Sequence, residues 1–222
     1  MRCSLLYVAL GLFTLTTNAS AATFTFVTDP FAGSTALTTP GRQIVGGEPF
    51  VDFSIATDVF AFDPIVFGID EILFANNVVA SLPTTGINVV VLQTLDNDAD
   101  PLTPFGAGNA ATVIAEQITS PGPGFFIYFN SGLNLPRLVY SIDLSEPTAD
   151  LKVLARLTSL AGQSGQLQLP TFTEDNFALT QVSEPASVLL MMTGGAWWMA
   201  RRALRKRAKP RGNNDVNGFS IR

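Results

Sequence analysis

The chain has 222 residues, a formal net charge of −5, no histidine and a single cysteine, Cys3. That composition excludes Ser-His-Asp and Cys-His nucleophile systems, ordinary zinc sites and any intramolecular disulfide. Charge is divided unevenly: residues 22–182 carry sixteen acidic residues against only Arg42, Arg137, Lys152 and Arg156, a balance of −12, which excludes the clustered Lys and Arg that nucleic acid or anionic lipid would require.

At the N-terminus, Met1 and Arg2 form a small positive region, residues 5–15 an apolar one, and Ala19-Ser20-Ala21 a small-x-small pattern. This order predicts a signal peptide over residues 1–21, cut by signal peptidase after Ala21, and therefore export through the inner membrane. An apolar run of eleven residues falls short of the ~20 that a bilayer span needs, which argues against a retained membrane helix. Cys3 leaves with the signal. The exported part then has to be stable through its core alone, and a domain of its size can bury enough surface for that.

Residues 22–170 read as one exported α+β domain, a mainly antiparallel sheet with about two helices. Strands are predicted at residues 24–27, 59–62, 87–95, 125–129, 138–144 and 167–169 from their β-branched and aromatic content. Several are apolar on both faces, which calls for covering layers. Residues 109–119 carry Ala111, Ile114, Ala115 and Ile118 at helical spacing, and residues 71–82 form a second helical candidate ending before Pro83. Residues 151–155 fit either helix or strand. Loops are expected at residues 39–41, 83–86, 121–124 and 162–165, and residues 171–182 read as an exposed linker. No internal repeat of fixed period is present.

Within the body, Gly106-Ala107-Gly108-Asn109-Ala110-Ala111 matches a dinucleotide fingerprint in letters. It lies about ten residues beyond its strand and lacks the acidic residue expected ~20 positions on, so it reads as a flexible helix start. Asp96-Asn97-Asp98-Ala99-Asp100 can present alternating carboxylates, Asp96, Asp98 and Asp100, to a calcium ion, although Pro101 and Ala107 replace the glycine and glutamate of an EF-hand. The alternative is a solvated acidic turn. No catalytic residue stands out and no other cofactor is implied. A carboxylate pair of the kind that hydrolyses glycosides is the one enzymatic chemistry left open.

The C-terminal part joins three pieces in order. Ser183-Glu184-Pro185-Ala186-Ser187 is followed by an apolar segment, residues 188–200, then by the basic cluster Arg201, Arg202, Arg205, Lys206 and Arg207, continued by Lys209 and Arg211. Trp197 and Trp198 stand where indoles favour a membrane interface, and the basic residues beyond fit a cytoplasmic tail. This arrangement resembles the bacterial PEP-CTERM proteins sorted by an exosortase, with Ser183 in place of the usual first proline and residues 212–222 as an additional tail, expected to be disordered. The resemblance implies that residues 183–211 are a sorting signal with a transient transmembrane helix and that exosortase cuts near the motif. It further implies a body left at the cell surface or in an extracellular polysaccharide matrix. A plain C-terminal anchor is the alternative reading.

Overall fold

The computed structural model describes residues 20–100 and 102–180. The predicted sorting motif from Ser183 to Ser187, the basic residues Arg201, Arg202, Arg205, Lys206 and Arg207, the apolar segment between them and most of the signal peptide lie outside the described residues. Among the described residues, no helix is long and apolar enough to cross a membrane.

Ten strands and three short α-helices build the body. The strands are β1 (Thr23–Phe26), β2 (Ile44–Val45), β3 (Phe50–Val51), β4 (Val59–Phe62), β5 (Phe74–Asn77), β6 (Val89–Leu92), β7 (Gly124–Asn130), β8 (Leu135–Ser141), β9 (Leu151–Leu157) and β10 (Phe177–Leu179); the helices are α1 (Pro64–Phe67), α2 (Ala107–Gln117) and α3 (Gly162–Gln168). A small sheet has the order β1-β4-β10, and a large one the order β2-β9-β8-β7-β6-β5, with β3 also beside β9. The body is thus α+β.

The expected antiparallel character is corrected by the pairing. Six of the eight strand pairs are parallel, and in the large sheet β8 alone runs against its neighbours. The physical reason is burial on both faces. All residues of β6 and β7 are buried, and strands of that kind belong to sheets covered on two sides, the usual setting of parallel pairing.

Alternate residues of the large sheet serve two cores. Val89, Val91, Phe125, Ile127, Phe129, Leu138, Ala155 and Leu157 meet Phe60 and Phe62 of the small sheet. Val90, Leu92, Phe126, Tyr128, Val139, Leu151 and Val153 meet the Ala107, Ala110, Ala111 and Ile114 face of α2. The layers are therefore small sheet, large sheet and helix. Phenylalanine rings fill the space between the sheets, with Phe62 and Phe125 stacked at a centroid distance of 3.7 Å and Phe53 and Phe60 at 4.1 Å.

One irregularity sets which face each β9 side chain takes. Leu138 pairs with Ala155 but Val139 with Val153, so Leu154 is an extra residue. Before this bulge Leu151 and Val153 point to the α2 side; after it Ala155 and Leu157 point to the small sheet. Such a bulge reverses the alternation of the strand.

Four further expectations need correction. Residues 71–82 form β5 and a 3-10 turn, Val79–Ser81, rather than a helix, because pairing with β6 outweighs local propensity. Residues 162–165, expected as a loop, begin α3, and residues 167–169, expected as a strand, finish it and enter a 3-10 turn. The ambiguous segment at residues 151–155 is strand β9. The body also extends beyond residue 170. Phe172 and Phe177 are buried and β10 pairs with β4, so the expected linker is folded as far as Thr180, whose N–H donates to the Phe62 carbonyl at 2.8 Å.

The Phe62 ring touches both sheets, so Phe62→Ala should lower stability by about 3–5 kcal/mol. Urea denaturation followed by circular dichroism should show the lower midpoint with little change in slope.

Candidate functional site

A ladder of polar and charged side chains crosses the helix-side face of the large sheet. Tyr128 on β7 lies opposite Arg137 on β8, which lies opposite Arg156 on β9, which in turn faces Phe50 on β3. Directly paired residues share a face, so the four side chains form one row across the sheet. Were Leu154 an ordinary member of a regular strand, and not the extra residue of a bulge, Arg156 would point to the opposite face.

Glu48, in the loop between β2 and β3, closes the row. Its side chain is 2% exposed, and its Oε1 accepts from Arg137 Nη2 and, at 2.7 Å, from Arg156 Nε. The Arg137 Nη1 group also donates to the Tyr128 hydroxyl at 3.4 Å, as does Asn130 Nδ2 at 2.9 Å. The guanidinium of Arg156 stands 5.2 Å above the exposed Phe50 ring. Burial by itself would raise the Glu48 carboxyl, but the hydrogen bonds from Arg156 and Arg137 and the Arg137 charge outweigh it and hold the group below its ordinary range. Burial raises the Tyr128 phenol, which therefore stays protonated.

A cleft of about 770 Å³ lies elsewhere, where the loop between β3 and β4 meets Ser159, Gln168, Thr171 and Thr173. Its carboxylates are Asp52, exposed, and Asp58, buried. Asp58 Oδ1 accepts from Ala22 N and the Thr57 hydroxyl, both at 2.9 Å, and Oδ2 from Ser54 N at 2.9 Å. Burial works to raise this carboxyl too, and again the donors prevail and lower it. A third buried carboxylate, Asp150, accepts from Leu37 N and Gln43 N, each at 2.6 Å. All three buried carboxylates are therefore occupied by donors from the protein itself.

The acidic turn behaves likewise. Asp96 Oδ1 accepts from Asn97 N and Asp98 N, Asp98 Oδ1 from Asp100 N, and Asp100 Oδ1 from Leu102 N. Each carboxylate folds onto its own backbone, which is what aspartate does in turns. Among the described residues, no three His, Cys, Asp or Glu side chains are gathered so that they could hold a metal ion. The structure places Asp96, Asp98 and Asp100 on one exposed turn and does not gather the three carboxylates into a group that could hold a metal ion. The fingerprint-like glycines also have a packing explanation. A Cβ on Gly108 would lie 3.3 Å from Arg42 Nη1 and 3.6 Å from Ile44 Cδ1, so the side chain of Arg42 fills the approach to the start of α2.

Sequence reasoning singled out none of Glu48, Arg137, Arg156 or Asp58. Scarcity was the available signal for the arginines, because a body with four cations and sixteen acids gives each cation a choice of partners. No family model, curated protein or solved structure matches the chain.

Two outcomes are expected. Glu48→Ala leaves Arg137 and Arg156 facing each other without a counter-charge and should cost about 3–5 kcal/mol, the penalty for breaking a buried pair. Because the Glu48 carboxyl is held low when folded, its contribution is complete above the ordinary glutamate value, about 4.3, and disappears as pH falls through the lowered one. Acid titration of stability should therefore be flatter in Glu48→Gln than in the native chain. For the acidic turn, millimolar Ca²⁺ should leave the thermal midpoints of the native chain and Asp98→Ala unchanged, as scanning calorimetry would show.

Proposed function

We propose that this is an exported, non-catalytic surface or matrix protein whose folded body is delivered by a C-terminal sorting signal. Signal peptidase removes residues 1–21 and an exosortase-type protease cuts near Glu184-Pro185. The body then remains at the cell surface or among extracellular polysaccharide. In this chemistry the chain is a substrate: Pro185 fixes its own φ and keeps Glu184 extended, as a peptide lying in a protease groove must be.

The observation that carries this reading is the order of motif, apolar segment and basic cluster over residues 183–211, placed directly after the folded body. The last strand ends at Leu179 and its final backbone bond is made by Thr180. The motif begins three residues later, close enough to the body to leave little tail after cutting and far enough to be reached. A strongly acidic body suits exposure at a surface, since net charge keeps a protein soluble.

Mass spectrometry of the protein recovered from its native cell surface tests the proposal. The native chain should end between Ser183 and Ser187, whereas Glu184→Ala and Pro185→Ala should accumulate as uncut, membrane-bound forms. An intact C-terminus at Arg222 in all three would make the segment a plain anchor.

A further inference from the structure

Among the described residues, the buried carboxylate of Asp58 has no cationic partner. Its donors are two backbone N–H groups and a hydroxyl, and no Lys or Arg lines its cleft. One of those donors is the nitrogen of Ala22, 2.9 Å from Oδ1. Ala22 is half-buried, while Ser20 and Ala21 before it are exposed. Its carbonyl is already tied to the fold by Val59 N at 2.9 Å, and β1 begins at the next residue. The Ala21–Ala22 bond is also the one that the small-x-small pattern marks for cleavage.

We infer that removal of the signal peptide turns the Ala22 nitrogen into an ammonium that pairs with Asp58, so that cleavage itself strengthens the fold. This rests on reading residues 1–21 as a signal peptide. Hydrolysis consumes one water: its oxygen passes to the Ala21 carbonyl carbon, which departs as a carboxylate, and its two hydrogens end on the Ala22 nitrogen. A neutral hydrogen bond to a buried carboxylate becomes a charged one, and charge-assisted bonds are about twice as strong. The nitrogen needs no new position, because β1 and the loop carrying Asp58 already hold both partners. The precursor, with an amide at this place, keeps a buried charge that nothing neutralises. It is the looser form, as suits a chain that must cross a membrane before folding.

The sign of the pH dependence follows from the groups around the pair. Asp52 lines the same cleft, and the 3-10 turn Glu174–Asn176 packs beside Asp58, where Asn176 Nδ2 donates to the Asp58 carbonyl at 3.0 Å and the exposed Glu174 and Asp175 carry the turn's charges. The charged groups among these are all acidic and favour the ammonium. A paired α-amino group has its value raised above the ordinary one of about 8, so its contribution is complete below that pH and is lost as pH rises through the raised value. At the acid end the contribution disappears as Asp58 takes up a proton.

The test compares the chain from Ala22 to Arg222 bearing a free α-amino group with the same chain Nα-acetylated, both in detergent. At about pH 6 the free form should melt higher by about 4 °C or more, and the gap should close by about pH 10. Asp58→Asn should erase the gap at the lower pH. Acetylation alters no side chain, so the comparison stands even where Asp58→Asn fails to fold. Equal midpoints for the free and acetylated chains at about pH 6 would overturn the ion pair. N-terminal sequencing of the exported protein should return Ala22 first, and any other first residue would overturn the proposal at the cleavage step.

Discussion

The contact between the two sheets is the constraint on which the body depends. Apart from Cys3 the chain has no cysteine, so no covalent bridge holds the layers, and the apolar faces of the two sheets have to bury each other. Phenylalanine does the joining. Phe60 and Phe62 from β4, Phe26 from β1 between them, Phe125 from β7, Phe53, Phe67, Phe172 and Phe177 form a continuous layer of tilted, stacked and edge-on rings. Each ring buries a large apolar area and gains further from its neighbours' geometry. The polar features described above are built on this slab: Asp58 immediately precedes Phe60's strand, and Tyr128 lies between Ile127 and Phe129.

How far the sequence is legible depends on how local the deciding interaction is. Residues 59–62 and 125–129 are strands as expected because their composition fits a pleated, buried surface whatever their neighbours. The stripe of Ala111, Ile114 and Ile118 marks α2 for the same reason. Strand direction is different, since it is settled between segments far apart. The clue was nonetheless there, because Val89-Val90-Val91-Leu92 is apolar on both faces and so suits parallel pairing better than antiparallel. The start of α3 was hidden by its glycines. A Cβ on Gly165 would fall 1.5 Å from the Leu160 carbonyl oxygen, so this glycine marks close packing, whereas in sequence it reads as a turn.

The ladder was less legible still. Glu48 and its arginines are 89 and 108 positions apart, and whether Arg156 faces Arg137 depends on one inserted residue in β9. Strand periodicity read along residues 151–157 without that insertion sends Arg156 to the opposite face. The acidic turn shows the reverse situation. Asp96, Asp98 and Asp100 attract attention as a pattern, yet their hydrogen bonds are the short-range ones that aspartate makes in any turn.

The small sheet has its earliest strand and its latest one on either side of the same partner: β1 and β10 both pair with β4. A chain made N-terminus first has β1, β4 and most of the large sheet before its final segment is complete. Phe60 and Phe62 would wait with one flank unpaired until residues 177–179 emerge. Closure of the slab thus falls to the last part of the body, and a body lacking those residues would leave β4 as an open edge.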